Sequence, residues 1–174
     1  FLELKKMSKK NFENCLRVAF IGEFATQHLA VATKGYAQKE NFPLDILDCD
    51  YDQFDAQILD KHSETYEFHP DFILLAVCTE KLYLKFCETP LSERRNFAEQ
   101  QYQILENYWL RLSEYSKARI LQMNYEEIDD GIWGNYAGKT EVSFLYQLRK
   151  LNMYLMQGAQ KQKNLYLVDI CRVA

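Results

Sequence analysis

The sequence is poor in residues that interrupt regular secondary structure, with only three prolines and six glycines in 174 residues. No stretch rich in proline, glycine or serine marks a linker, and the sequence has no internal repeat. Hydrophobic residues make up 48% of the chain, which supplies enough apolar side chain for one full core. We therefore predict a single domain over residues 1–174.

Long apolar runs and an excess of positive charge are also lacking. No run approaches the ~20 apolar residues that a membrane-spanning helix needs, and the first residues do not have the layout of a secretory signal. The net charge is −4, whereas nucleic-acid-binding domains usually carry a basic stripe. The one basic run, KKMSKK at residues 5–10, is interpreted as a solvated first turn or arm. We expect neither a membrane nor a nucleic acid as a partner.

Cysteine and histidine do not form a recognisable ligand set. The five cysteines are odd in number and contain no C-x-x-C motif, so we expect neither a disulfide framework nor a structural zinc site. His62 and His69 are seven residues apart and have no evident third ligand. These patterns predict a reducing, cytoplasmic setting, with no metal and no cofactor in this part of the protein.

What the sequence does contain is an alternation of short apolar runs with longer amphipathic stretches. The runs predict five strands, at residues 16–21, 44–47, 72–77, 118–123 and 165–168. Helices are predicted over residues 25–38, 51–60, from Ser92 onward, and over 141–162. Continuous apolar strands are typical of parallel sheets buried on both faces. With right-handed crossovers, this order predicts an α/β fold, namely a three-layer, doubly wound, five-stranded parallel sheet.

In such sheets the functional residues lie beyond the carboxyl ends of the strands. Eight residues near these ends are predicted to line a cleft, although each also suits an ordinary turn or helix cap. They are Glu23, Phe24, Thr26, Asp50, Thr79, Glu80, Asn124 and Asn135.

The turn after the first strand, Gly22-Glu23-Phe24, does not suit a phosphate-binding loop. Dinucleotide-binding turns need several glycines so that the backbone can approach the pyrophosphate. Here a single glycine is followed by Glu23, whose negative charge repels phosphate. No G-x-x-x-x-G-K-[ST] motif is present either.

The acidic run at residues 48–52, DCDYD, allows a second kind of chemistry. Phosphatases of the haloacid dehalogenase (HAD) superfamily place D-x-D-x-T after their first strand, where one Asp attacks phosphorus beside Mg²⁺. Here the run follows the second strand and Asp52 replaces Thr, although Asp129-Asp130 resembles the later metal-binding acids. The other interpretation is an acidic turn that starts a helix, with Asp50 or Asp52 as N-cap.

Two segments, residues 18–26 (VAFIGEFAT) and 70–82 (PDFILLAVCTEKL), resemble the first and third blocks of SGNH hydrolases. Those blocks read roughly G-D-S-x-T and P-D-x-(apolar)-G-T-N-D. Gly22 and Thr26 match the first block, but Phe24 stands at the position of the nucleophilic serine. In the later block Thr79 matches, and Glu80 stands at the position of the oxyanion-hole Asn.

A phenylalanine cannot attack a carbonyl group, and an ionised glutamate cannot donate a hydrogen bond to an oxyanion. No D-x-x-H follows Asp169, which would supply the base in that family. The resemblance therefore implies a site without hydrolase activity and with no catalytic residue.

Over nearly its whole length the chain resembles the N-terminal domain of FkbH-like proteins, which are HAD subfamily IIIC. The similarity rests on the order and spacing of short motifs. These are the G-x-F turn at residues 22–24, DYDQF at 50–54, YEFHPD at 66–71, WGN at 133–135 and LVD at 167–169.

This resemblance implies an SGNH-hydrolase/flavodoxin-like domain that precedes a Mg²⁺-dependent HAD catalytic domain in the same chain. The HAD motif would lie after Ala174, so we expect a fragment of a longer protein. Some members of the family load a three-carbon unit onto an acyl carrier protein, which makes that protein an expected partner. The expected function is to position a substrate or partner. The alternative is an active hydrolase, either a divergent esterase or a Mg²⁺-dependent phosphatase that uses Asp48 and Asp50.

Overall fold

The computed structural model describes residues 2–7, 15–128 and 130–172. Within them five parallel strands form one sheet in the order β2-β1-β3-β4-β5. All five predicted strands are confirmed within one residue at each end. They are β1 (Leu16–Gly22), β2 (Leu44–Asp48), β3 (Phe72–Ala76), β4 (Arg119–Met123) and β5 (Leu165–Val168).

Helices connect the strands and flank the sheet. The α-helices are α1 (Leu2–Met7), α2 (Gln27–Lys39), α3 (Phe54–Leu59), α4 (Glu64–Glu67), α5 (Thr79–Glu88), α6 (Phe97–Tyr115) and α7 (Phe144–Lys161). Short 3₁₀ turns occupy Tyr51–Gln53, Arg94–Asn96, Gly134–Lys139 and Ile170–Arg172. An α/β fold with an all-parallel sheet is therefore confirmed. The structure describes only part of the basic run at residues 5–10. Lys5 and Lys6 are exposed in α1, and residues 8–10 lie outside the described ranges.

The connection between β3 and β4 differs from the prediction. The sequence predicted one helix from Ser92 onward, but α5 precedes it and the long helix begins only at Phe97. Pro90 separates the two, because the residue before a proline is restricted to extended backbone; Thr89 accordingly has φ −74° and ψ 126°. The helix α5 buries Leu82 and Phe86 but has only 10 residues, which is shorter than the roughly 11–18-residue window over which a helical period is recognised.

The larger core fills one face of the sheet, against α3, α5, α6 and α7. Trp109 of α6 lies at its centre, fully buried, and its indole N–H donates to Oε1 of Gln122 at 2.9 Å. Gly158 of α7 faces that ring, because a Cβ there would lie 2.8 Å from the Trp109 ring. Gly158 does not end its helix, which continues to Lys161.

A smaller apolar cluster lies on the opposite face, where Ala30 of α2 packs on Val18, Phe20 and Leu74. The short helix α1 also packs closely against α2. A Cβ at Gly35 would overlap the backbone of Leu4, so glycine is needed where the two helices touch.

No helix in the described ranges is long and apolar enough to cross a membrane. All five cysteines lie in the described residues and are free. The cytoplasmic location stays a prediction.

Candidate functional site

A tight turn after β1 forms one side of the carboxyl edge of the sheet. The N–H of Glu23 donates to the carbonyl of Ala76 at 2.8 Å, which continues the pairing of β1 with β3 by one residue. A Cβ at Gly22 would lie 2.7 Å from both the carbonyl oxygen of Phe24 and Cγ2 of Thr26. Only glycine fits this position, and the turn brings the next side chains over the strand ends.

The carboxylate of Glu23 bonds to the scaffold. Its Oε2 atom accepts the backbone N–H of Cys78 at 2.8 Å, and its Oε1 atom lies 3.7 Å from Nζ of Lys85. The Glu23 side chain is only 15% exposed, whereas that of Lys85 is 55% exposed. Glu23 therefore joins the turn after β1 to the start of α5, and it is not among the side chains that line the adjacent cleft.

An open cleft of about 600 Å³ lies beyond the ends of β1, β3 and β4. Three of the eight predicted residues meet there, namely Phe24, Thr79 and Glu80. The other lining residues are Val77, Cys78, Met123, Glu126 and Ile170. The cleft has an aromatic side chain at the end of β1 and acidic side chains from the segments after β3 and β4.

The wall formed by the start of α5 is fixed by local hydrogen bonds. The hydroxyl group of Thr79 donates to the carbonyl of Glu126 at 3.1 Å and ties this wall to the loop after β4. The thiol of Cys78 donates to Oε2 of Glu80 at 3.2 Å. Burial raises the pKa of the Cys78 thiol. The backbone N–H of Glu80 and this thiol hold the pKa of the Glu80 carboxyl below its usual value. At neutral pH the wall therefore presents an uncharged thiol and an ionised carboxylate.

Two hydrogen bonds with Asn152 of α7 fix the loop after β4. The N–H of Tyr125 donates to Oδ1 of Asn152 at 3.0 Å, and Nδ2 of Asn152 donates to the carbonyl of Tyr125 at 2.8 Å. Burial, and then the charge of Glu23, raises the pKa of the Tyr125 hydroxyl group. This pair of bonds fixes the backbone next to Glu126, the acidic residue of the cleft that follows β4.

The remaining predicted residues lie outside the cleft lining. Thr26 is buried, and its hydroxyl group donates to Oδ1 of Asp48 at 2.5 Å. Asn124 is half-buried; it donates to Asp169 at 2.7 Å and accepts the N–H of Ile170 at 2.8 Å, so it shapes the turn after β5.

Asp50 and Asn135 lie in other parts of the molecule. Asp50 is exposed and precedes the 3₁₀ turn at Tyr51–Gln53, where its side chain makes no capping hydrogen bond. It lines a separate polar depression with residues of α3 and Ser63. Asn135 is exposed in the 3₁₀ turn Gly134–Lys139. The structure therefore does not bring either residue to the Phe24 cleft.

The sequence left two hydrolase activities open, a Mg²⁺-dependent phosphatase and a divergent esterase. Neither has an assembled site in the described residues. No group of three or more His, Cys, Asp or Glu side chains is placed to hold a metal ion there; Asp129, part of the acidic pair at 129–130, lies outside those residues. All three histidines lie in the part of the chain that the structure describes, and none of them lines the Phe24 cleft. The cleft thus presents carboxylates, a thiol, a hydroxyl group and apolar side chains.

Five lining residues were absent from the predicted set: Val77, Cys78, Met123, Glu126 and Ile170. Cys78 directly follows a predicted strand, and Glu126 and Ile170 come shortly after the predicted strands 118–123 and 165–168, so the strand-end rule could have included all three.

Comparisons with known proteins agree with this architecture. The family model described as FkbH, N-terminal domain, matches residues 17–174. A search of curated proteins found no match. Among solved structures, the N-terminal part of the protein BF1531 from Bacteroides fragilis is similar, with a TM-score of 0.87 and 33% sequence identity. That crystal structure contains a phosphatase domain and is complexed with Mg. The match covers 99% of this chain and 45% of that chain.

Proposed function

Because the chain belongs to the FkbH N-terminal domain family, we propose that it is a non-hydrolytic SGNH-like domain that positions a substrate or partner for a following catalytic domain. The strand order β2-β1-β3-β4-β5 supports a three-layer, SGNH-hydrolase/flavodoxin-like arrangement. The catalytic domain is proposed to be a HAD domain of subfamily IIIC downstream of residue 174, with the Mg²⁺ site there. The partner is proposed to be an acyl carrier protein.

The observation that carries the proposal is Phe24 at the end of β1. The cleft is open and about 600 Å³ in volume, which is enough for a small ligand or the arm of a carrier. Phe24 occupies the position where the resemblance to SGNH hydrolases places the nucleophile. Across the cleft, the ionised carboxylate of Glu80 can accept hydrogen bonds but cannot donate one to an oxyanion. Binding without hydrolysis is the chemistry that these side chains support.

A cleft-filling variant of the full-length protein tests the positioning role. Glu80→Trp adds bulk to an exposed cleft wall, and Leu84→Trp makes a matched change on the same helix at a side chain that is 62% exposed and outside the cleft. We expect Glu80→Trp to reduce transfer of a three-carbon unit to an acyl carrier protein about tenfold or more, on the order of one kcal/mol in barrier. Hydrolysis of p-nitrophenyl phosphate with Mg²⁺ should be unchanged. Equal transfer by both variants would exclude the positioning role.

The rival function, a hydrolase active within residues 1–174, is tested on the isolated domain. Purified residues 1–174 are assayed on p-nitrophenyl acetate and on p-nitrophenyl phosphate with Mg²⁺. We expect no turnover of either substrate. Turnover that Asp48→Asn abolishes would replace the proposal by a phosphatase that uses Asp48 and Asp50. Turnover of the acetate ester alone would point to a divergent esterase.

A further inference from the structure

The two edge strands of the sheet, which are β2 and β5 within the described residues, are protected to different degrees. An edge strand exposes a row of backbone N–H and C=O groups, and proteins commonly block further pairing there with charged side chains or proline. The β2 edge has both, since Pro43 precedes it and Asp45 within it forms an ion pair with Lys34 of α2 at 3.4 Å. The β5 edge, Leu165–Val168, contains neither a charged residue nor a proline. It is therefore the edge that is better suited to pair with another strand.

The backbone of β5 directs hydrogen-bonding groups away from the sheet. The carbonyl groups of Asn164 and Val168 accept N–H groups from β4 and from the residue after it, at 2.8 and 3.2 Å. Because successive residues alternate in direction, the backbone groups of Leu165 and Leu167 point outward. The N–H of Leu165 donates locally, to the carbonyl of Gln162 at 3.3 Å. The carbonyl of Leu165 and both backbone groups of Leu167 are thus directed towards a neighbouring strand.

Exposed apolar side chains lie beside this edge. Tyr166 of β5 is 47% exposed, and Met156 of α7 is 55% exposed. Both line a recess of about 410 Å³ between α7 and β5, together with Leu165 and Leu167. Methionine adapts its shape to irregular apolar surfaces. Apolar side chains grouped beside a strand edge are typical of a protein–protein interaction surface.

The charged residues at the two ends of β5 indicate which strand fits the edge. Lys163 precedes the strand and Asp169 follows it, and both are exposed. They are equally distant in sequence from Tyr166. When β5 pairs antiparallel with β5 of a second copy and Tyr166 lies on the two-fold axis, each Lys163 is directly opposite Asp169 of the other copy. Opposite charges in that position stabilise an antiparallel pair, so the strand is complementary to itself, as a two-fold interface requires.

The same register also pairs the outward backbone groups. Leu165 of one copy lies opposite Leu167 of the other, and the N–H of Leu167 donates to the carbonyl of Leu165. The two-fold axis repeats this bond, and neither bond needs the Leu165 N–H that Gln162 accepts. Tyr166 meets its equivalent at a non-hydrogen-bonded position, where the Cα atoms are about 4.5 Å apart and aromatic side chains contact each other.

We propose that the full-length protein forms a two-fold dimer in which the β5 edges of two copies pair antiparallel around Tyr166, so that one continuous sheet crosses both copies. Met156 of each copy then lies beside the interface and adds apolar contact. Because the strand is short, the interface is small and the dimer is weak and concentration-dependent. The inference does not depend on what the Phe24 cleft binds, so the two proposals can fail separately.

Disulfide formation on the two-fold axis tests the register in the purified full-length protein. A Cα separation of about 4.5 Å lies within the range that a disulfide spans. Under mild oxidation Tyr166→Cys should give a disulfide-linked dimer on a non-reducing gel, and mass spectrometry should identify the peptide that joins position 166 to itself. Val168→Cys is the matched control, because its side chain is also exposed and would lie opposite Asn164 of the other copy. No linked dimer from Tyr166→Cys above the level of the unchanged protein, or equal yields from the two variants, would overturn the proposal.

A charge on the axis gives a second readout. Tyr166→Lys places two like charges directly opposite each other, which destabilises an antiparallel pair. Tyr136→Lys makes the same change at a side chain that is 59% exposed in the turn Gly134–Lys139, outside β5. In sedimentation equilibrium of the full-length proteins, we expect Tyr166→Lys to raise the dimer dissociation constant about tenfold or more and Tyr136→Lys to leave it unchanged. An unchanged protein that stays monomeric at every concentration, or a dimer that Tyr166→Lys does not weaken, would contradict the inference.

Discussion

Glu23 and Cys78 join the ends of two adjacent strands, because a carboxylate oxygen of Glu23 accepts the backbone N–H of Cys78 at 2.8 Å. A glutamate at the mouth of an α/β cleft suggests acid–base chemistry or metal binding. Here its hydrogen bond and its ion pair with Lys85 hold the cleft wall in place. The relationship can be tested through stability.

Glu23→Ala should destabilise the protein by about 1–2 kcal/mol, because it leaves the partly buried Cys78 N–H without an acceptor. Glu23→Gln should cost less, since its amide oxygen can accept the same N–H. Urea denaturation of the two variants and of Lys85→Met measures the difference. Lys85→Met should change stability little, because the lysine is largely exposed and such ion pairs contribute little. A loss from Lys85→Met as large as that from Glu23→Ala would assign the stability to the ion pair instead.

Phe24→Ser should introduce a hydroxyl group just after β1 without producing an esterase. A serine hydroxyl group needs a base to activate it, and no histidine lines the cleft. The Glu80 carboxylate, whose pKa is lowered, stays ionised and cannot stabilise an oxyanion. Hydrolysis of p-nitrophenyl acetate by the variant should equal that by the unchanged protein. A burst of p-nitrophenol from Phe24→Ser alone would contradict this expectation.

Gly158→Ala should destabilise the protein by about 1–3 kcal/mol, because the added Cβ would lie 2.8 Å from the fully buried ring of Trp109. At an open helical position the same change normally stabilises by about 1 kcal/mol. Gly138→Ala is the control, since its Cβ would meet no atom within 4 Å. Thermal unfolding of both variants gives the comparison, and an unchanged Tm for Gly158→Ala would mean that the core yields at this point.

The buried thiol of Cys49 should lower the stability of the folded protein at alkaline pH. Burial raises the pKa of its thiol to about 11, whereas the thiol ionises near 8.5 in the unfolded chain. Between these values the unfolded state has lost the proton that the folded state keeps, so stability falls as pH rises.

By pH 10 this thiol should lower the free energy of unfolding by about 1–2 kcal/mol relative to pH 7. Urea denaturation of the unchanged protein and of Cys49→Ala at both pH values measures the contribution. The stability difference between the two proteins should shrink or reverse at pH 10 by that amount. A difference that is the same at both pH values would show that Cys49 is not the group responsible.

The sequence predicted the positions of the strands well. It was a poorer guide to the helices and to which of their sides are buried. An apolar run such as residues 72–76 is a local signal, and every predicted strand was found within one residue at each end. The helix α5 was missed because it has only 10 residues, which is shorter than the roughly 11–18-residue window over which a helical period is recognised. In α2 the apolar side chains do not mark the buried face, because Leu29 and Tyr36 are 40% and 57% exposed. The side that α2 buries depends on its contacts with α1 and with the sheet, which come from other parts of the chain.

The sequence by itself determined the α/β class, the five strands and the presence of Phe24, which cannot act as a nucleophile, just after the first strand, because each depends on residue type within a short stretch. Only the tertiary structure decided which strand-end residues meet. It placed Phe24, Thr79 and Glu80 around one cleft, turned Glu23 towards the backbone of Cys78, and left Asp50 and Asn135 elsewhere. These relationships depend on strand order and on close contacts between distant segments, neither of which is encoded in any single stretch of the chain.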